Sequence, residues 1–219
     1  MKPLPHGRLG PFVTDQEQFW AGDFGNEYVD RNADAYLVDG NEAFFRRALG
    51  RVPFRSCIEF GTNIGNNIVA LKKLFPSVEY AGIEINAQAV ERLKAIAGLT
   101  VFHQSILDFV PQRTWDLAFI KTVLIHINPE LLPKAYDALY AASDRYIFIS
   151  EYYNPTPVEV NYRGHNARLF KRDFAGEMLD RHRDLALVDY GFIYHRDASV
   201  TINDDQTWFL LEKRGATAT

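Results

Sequence analysis

The run Cys57-Ile58-Glu59-Phe60-Gly61-Thr62-Asn63-Ile64-Gly65-Asn66-Asn67 passes from a short apolar stretch into a glycine-bearing turn, and the helical spacing of Ile68, Val69, Leu71, Leu74 and Phe75 follows at once. Glycine at 61 and 65 gives the turn access to backbone conformations that side chains disfavour. The order is strand, turn, helix. A second run, Val78-Glu79-Tyr80-Ala81-Gly82-Ile83-Glu84-Ile85, follows Pro76. It ends on Glu84, about twenty residues beyond the glycines, where doubly wound nucleotide folds place the acid that holds ribose hydroxyls. The two runs predict a ligand that carries adenosine.

The charge beside the turn narrows that ligand. In a dinucleotide fold the turn and the helix start receive a pyrophosphate, and a carboxylate at Glu59 repels one where water screens poorly. S-adenosylmethionine has no phosphate; it carries an ammonium and a sulfonium, which an acid favours, while free backbone N–H groups of the turn remain for its carboxylate. Asn63 stands in the middle of the turn and the third glycine of the dinucleotide fingerprint is missing. S-adenosylmethionine is therefore the expected cofactor; a dinucleotide site and a purely structural turn are the alternatives.

Working outward, 219 residues with 47% hydrophobic content suffice for one domain with a full core. A net charge of −4 without a long basic run argues against nucleic-acid binding. The single cysteine, Cys57, lies in an apolar run, so it reads as a reduced, buried side chain of a cytoplasmic protein. Met1 to Gly10 lacks the apolar centre of a signal peptide, and no stretch approaches the roughly 18 apolar residues of a membrane span. No membrane partner is expected, and the oligomeric state is not legible.

The core is expected to begin near Pro53, so residues 1–52 form an N-terminal helical lid segment, 53–213 the core and 214–219 a loose tail. Thr14 to Trp20 looks like a capped helix start, and Asn41 to Leu49 is helically spaced. Asn86 and Gly98 bound a helix over 87–97. Thr100 to His103, Trp115 to Ile120 and Tyr146 to Ser150 read as strands, Asn128-Pro129 opens a helix, and Leu169 to Arg183 has a helical pattern. Leu185 to His195 and Thr207 to Lys213 suggest an antiparallel pair at the sheet edge. The fold class is α/β: a Rossmann-like, mostly parallel seven-stranded sheet with an antiparallel edge strand and helices on both faces.

With these parts in order, the chain from about Phe54 to Lys213 resembles a class I S-adenosylmethionine-dependent methyltransferase. Glu59-x-Gly61-x-Asn63-x-Gly65 is similar to the family's first motif, Gly82-Ile83-Glu84 to its ribose-binding acid, and Trp115-Asp116-Leu117 through Lys121 and His126 to its fourth motif. Where the family often has an acid for the adenine amino group, Gln104-Ser105-Ile106 stands instead. Thr14 to Trp20, Phe24-Gly25-x-x-Tyr28-x-x-Arg31-Asn32, Glu151 to Pro157 and Tyr162-Arg163-Gly164-His165 with Phe170 to Phe174 look like the methylases associated with pseudaminic acid biosynthesis. That resemblance implies a nonulosonic acid or related sugar as acceptor.

The expected cofactor residues are Trp20, Tyr28, Arg31, Glu59, Gly61, Thr62, Asn63, Gly65, Glu84, Ile85, Ser105, Ile106 and Lys121. Aromatic faces before the core suit a sulfonium, and the resemblance implies that Arg31 or Tyr28 meets the methionine carboxylate. His126, Glu151 and Tyr152 follow strands at the ligand-binding edge and are the candidate catalytic groups, with a structural histidine as the alternative for His126. Tyr153, Arg163, His165 and Arg168 are candidates for a small, anionic acceptor, because a short cationic cluster in an acidic chain suits a carboxylate; a solvated helix start is the alternative. His103, Asp108 and His182 lack metal-ligand spacing, so no metal is expected. The rival functional class is a non-catalytic module that binds S-adenosylmethionine or a nucleotide.

Overall fold

The computed structural model describes residues 12, 14–32, 36–200, 202 and 204–215. Among these the strands are β1 (Ser56–Phe60), β2 (Glu79–Glu84), β3 (Leu99–His103), β4 (Trp115–Lys121), β5 (Ser143–Glu151), β6 (Val158–Tyr162), β7 (His165–Lys171), β8 (Leu185–Ile193) and β9 (Gln206–Lys213). The helices are α1 (Asp15–Ala21), α2 (Asp23–Arg31), α3 (Tyr36–Leu49), α4 (Asn66–Leu74), α5 (Ala87–Leu93), α6 (Leu132–Ala142) and α7 (Phe174–Arg181). Seven strands join in the order β3-β2-β1-β4-β5-β9-β8. The first five are mutually parallel, and β9 runs antiparallel between β5 and β8. The antiparallel strand thus lies one place in from the edge.

The central strands are apolar on both faces because both faces are covered. Ile58, Phe60, Ala118 and Ile120 pack with Leu132, Tyr136 and Leu139 of α6 and Phe174 and Met178 of α7. Cys57, Leu117 and Phe119 face the other way, against Phe44, Phe45 and Leu49 of α3 and Ile68 and Leu71 of α4. Phe44 and Phe45 are fully buried, each contributing about 1.5–3 kcal/mol. This makes α3 part of the core. The chain leaves β1 for α4 on one face and β4 for α6 on the other, so the adjacent carboxyl ends of β1 and β4 open into a crevice.

Five local expectations change. Residues 23–31 form a helix whose weak formers Gly25, Asn26 and Asp30 hid it from the pattern. The segment 169–183 is divided: Leu169 to Lys171 pairs with Val158 to Val160, and Asp173 caps a separate helix by accepting from Gly176 N–H at 2.8 Å. The hairpin β6–β7 is therefore new; its two-residue turn has positive φ at Arg163 (50°) and Gly164 (88°), as a type I′ hairpin requires. α5 stops at Leu93 and continues as turns to Gly98. Asn128-Pro129 opens a 3₁₀ turn, Pro129–Leu131, before α6 begins. Of the expected tail, residues 216–219 lie outside the described residues.

Candidate active site

A cavity of about 430 Å³ lies at the carboxyl ends of β1, β2, β4 and β5, roofed by α1, α2 and the β6–β7 hairpin. Its floor is the glycine turn. Gly61 and Thr62 N–H both donate to Ile83 O, at 2.9 and 3.0 Å, which ties the turn to the end of β2. Gly61 has φ 78°, and a Cβ there would meet Val123 Cγ2 at 2.6 Å. Gly65, at φ 89°, is the N-cap of α4, and a Cβ on it would run into the Ile96 side chain. Asn63, also left-handed, donates its N–H to Glu84 Oε2 at 2.6 Å, while Ile85 and Asn86 N–H donate to Glu84 Oε1. Burial raises the Glu84 carboxyl and these three N–H groups oppose the rise. A carboxylate has about four lone-pair sites, so capacity for a ligand hydroxyl remains.

Glu59 sits behind this floor and is fully buried. Its Oε1 accepts from Asn67 Nδ2 at 2.6 Å, and its Oε2 and Asn67 Oδ1 are both buried without a partner. Burial pushes the carboxyl up to about 8, against the Asn67 hydrogen bond and the Lys121 ammonium. The same burial lowers Lys121, opposed by Glu59, Glu151 and Asp204.

The wall after β4 is held in an uncommon shape. Thr122 is β-branched yet has φ 54°, a conformation that persists only where its surroundings over-determine it. Thr122 N–H donates to Ser150 O at 2.9 Å, and Val123 and Leu124 N–H donate to Glu151 Oε1, each at 2.9 Å. Glu151 thus secures the turn that presents His126; burial pushes it up to about 7 in spite of those N–H groups. His126 Nδ1 lies 2.6 Å from Arg168 O. A carbonyl only accepts, so Nδ1 carries the proton and Nε2 the lone pair. Burial lowers this imidazole to about 4.

Aromatic rings close the roof. Trp20 lies 4.6 Å from the His126 ring centroid and 5.2 Å from Tyr28, and Tyr162 lies 4.9 Å from His126. α1 is fixed by a capping box between Thr14 and Glu17, and Gln16 Nε2 donates to Ala167 O of the hairpin at 3.1 Å. Asn86 Nδ2 donates to Trp20 O and Asn26 Oδ1, joining the roof to the end of β2.

The structure brings together, around the cavity, the expected Trp20, Tyr28, Gly61, Thr62, Asn63, Glu84, Ile85, Ser105, Ile106, Lys121, His126, Tyr152 and Arg163. It does not bring Arg31, Glu59, Gly65, Glu151, Tyr153, His165 or Arg168 to the lining. Arg31 pairs with Glu27 at 3.5 Å. His165 packs on Phe19 and Phe24, the Arg168 guanidinium lies over the Phe19 ring, and Tyr153 packs beside Phe209. Sequence reasoning missed Asn67, Asn86, Tyr162, Gln206 and Asp204, which accepts from the Tyr152 hydroxyl. Asn67 had a signal, standing in the first turn of the helix that follows the glycine turn; Asp204, in a polar loop, had none.

No protein-family model and no curated protein matches the sequence. Solved structures do match in fold. A 1,6-didemethyltoxoflavin N1-methyltransferase of Burkholderia thailandensis, with its substrate and S-adenosylhomocysteine bound, aligns with TM-score 0.68 at 13% identity over 93% of this chain and 92% of that one. The magnesium protoporphyrin IX methyltransferase of Synechocystis, with S-adenosylhomocysteine, aligns with TM-score 0.65 at 14% identity over 90% and 97%. The N-methyltransferase NodS of Bradyrhizobium japonicum, also with S-adenosylhomocysteine, aligns with TM-score 0.60 at 13% identity over 87% and 99%. The chain has the Rossmann-like fold of the S-adenosylmethionine-dependent methyltransferases.

Proposed function

We propose that the chain transfers a methyl group from S-adenosylmethionine to a small polar acceptor. One observation carries the choice of cofactor: Asn67 Oδ1, in the cavity lining, and Glu59 Oε2, just behind it, are buried oxygens without a partner beside the glycine turn. A ligand ammonium supplies the missing donors, whereas a pyrophosphate adds charge of the wrong sign. S-adenosylhomocysteine in the structural neighbours agrees with this reading. Glu84 holds the ribose hydroxyls, Ile85 and Ile106 flank the adenine, and Trp20 and Tyr28 cover the sulfonium end.

When bound, the cofactor supplies an electrophilic methyl carbon, and the protein contributes alignment. His126 Nε2, kept unprotonated by the bond from Nδ1 to Arg168 O, accepts the acceptor's proton or holds its hydroxyl in line. A ring lowered to about 4 stays neutral across the physiological range. Tyr152, oriented by Asp204, binds the acceptor from the β5 side. Within the acceptor class, an anionic compound such as a nonulosonic acid sugar or its precursor is the finer reading; Arg163 in the lining favours it.

Turnover of methyl-labelled cofactor with carboxylated sugars tests the proposal. Label appearing in the sugar, and lost in His126→Ala, supports it; cofactor binding without transfer to any small acceptor would make the chain a binding module instead. Replacing Arg163 by Asn, which tolerates the left-handed turn, should lower kcat/KM for an anionic acceptor roughly ten- to a hundredfold and leave cofactor affinity unchanged. Unaltered kinetics would remove the anionic reading and leave methyl transfer standing.

A further inference from the structure

Among the described residues β8 ends the sheet, so one row of its backbone N–H and C=O groups has no described strand beside it. Leu187, Tyr190 and Phe192 are 46%, 64% and 52% exposed, and Tyr194, just past the strand, is 45% exposed. The register sets Leu187 opposite Leu211, Tyr190 opposite Phe209 and Phe192 opposite Thr207, so these side chains share one face. Tyr190 stacks on Phe209 with centroids 6.4 Å apart, Phe209 meets Tyr153 at 6.0 Å, and Phe192 stacks with Tyr194 at 6.4 Å. The result is a continuous apolar stripe along an open edge. Asp189 is the one charged side chain within β8, and neither lysine nor proline guards the strand.

We propose that β8 of a second copy of this chain pairs antiparallel with β8 of the first, so that the two sheets join across a two-fold axis and the two stripes meet side by side on one face. An antiparallel strand pair is itself two-fold symmetric, so one surface serves both copies. Aromatic side chains offer about 150–250 Å² each. At the exposures above, the stripe presents roughly 300–500 Å² of largely apolar surface per copy, about half of the ~800 Å² per partner that a stable interface takes, and the strand ladder adds the rest. Patches of this size on monomers are commonly functional. Leu187, Tyr190, Phe192 and Tyr194 do not line the cavity, so this inference stands or falls apart from the proposed activity.

Sedimentation of the full chain over a concentration series tests it. The expected result is a dimer with Kd of about 1 µM or tighter. Phe192→Glu and Tyr190→Glu should each weaken it roughly a hundredfold by burying a charge, with circular dichroism showing both variants folded. Amide exchange in β8 should be slow in the dimer and fast in the variants, which separates strand pairing from face-to-face stacking. A wild-type chain that stays monomeric at high micromolar concentration, a dimer that survives both substitutions, or β8 amides that exchange as fast in the dimer as in the monomer would each overturn the proposal.

Discussion

Glu59 concentrates the electrostatics of the site. Its folded-state value of about 8 stands above the ordinary 4.5, so the folded protein holds a proton the unfolded chain has lost between those pH values. Its effect on stability is therefore most favourable below about 4.5 and declines as pH rises towards 8. Glu151, at about 7, acts in the same direction. His126, lowered to about 4, acts in the opposite one, adding stability as pH rises from about 4 to 6.5. Glu59→Gln should therefore raise the melting temperature at pH 8 relative to wild type more than at pH 5. An equal shift at both values would show that Glu59 is charged throughout. Ligand binding gives a second readout at this residue: an ammonium beside Glu59 favours the carboxylate, so binding at pH 7 should release a proton. The calorimetric enthalpy should then vary with the ionisation enthalpy of the buffer, and in Glu59→Gln that dependence should vanish. The acid was legible in the sequence from its place beside the glycines; its burial behind Asn67 was not, because that depends on how α4 packs over β1.

Among the elements, α1, α2 and the β6–β7 hairpin form the roof, and we propose that α1 and α2 are the lid. They touch the core through Asn86 and through Arg92, which pairs with Asp30 at 2.6 Å. Deleting residues 1–31 should leave a folded core, since α3 carries the buried Phe44 and Phe45. Its affinity for S-adenosylhomocysteine should fall roughly tenfold or more with the loss of Trp20 and Tyr28. Unchanged affinity in the truncated, folded chain would remove the lid. The capping box of Thr14 and Glu17 was readable in the sequence because it is local. The hairpin was not, although Val158, Val160 and Tyr162 alternate with Glu159 and Asn161. An isolated two-stranded ribbon is marginal; this one is held by contacts with Gln16, Phe19 and His126 that lie far away in sequence. The cationic residues of that segment part in the fold: Arg163, in the tight turn, lines the cavity, whereas Arg168, in β7, covers Phe19.

Across the whole molecule, the parallel strands were legible because burial on both faces leaves unbroken apolar runs such as Trp115 to Ile120 and Tyr146 to Ile149. The insertion of β9 between β5 and β8 was not, since strand order depends on pairing rather than on any one strand's pattern. The fold brings the turn after β1, the acid ending β2 and the His126 turn after β4 to one edge, where we propose that S-adenosylmethionine binds. The most direct measurement is calorimetry of the full chain with S-adenosylhomocysteine and, separately, with NAD. The expected result is micromolar binding of S-adenosylhomocysteine that collapses in Gly61→Arg, whose side chain has no room beside Val123, and weaker or undetectable binding of NAD. Preferential binding of NAD by the folded protein would contradict it.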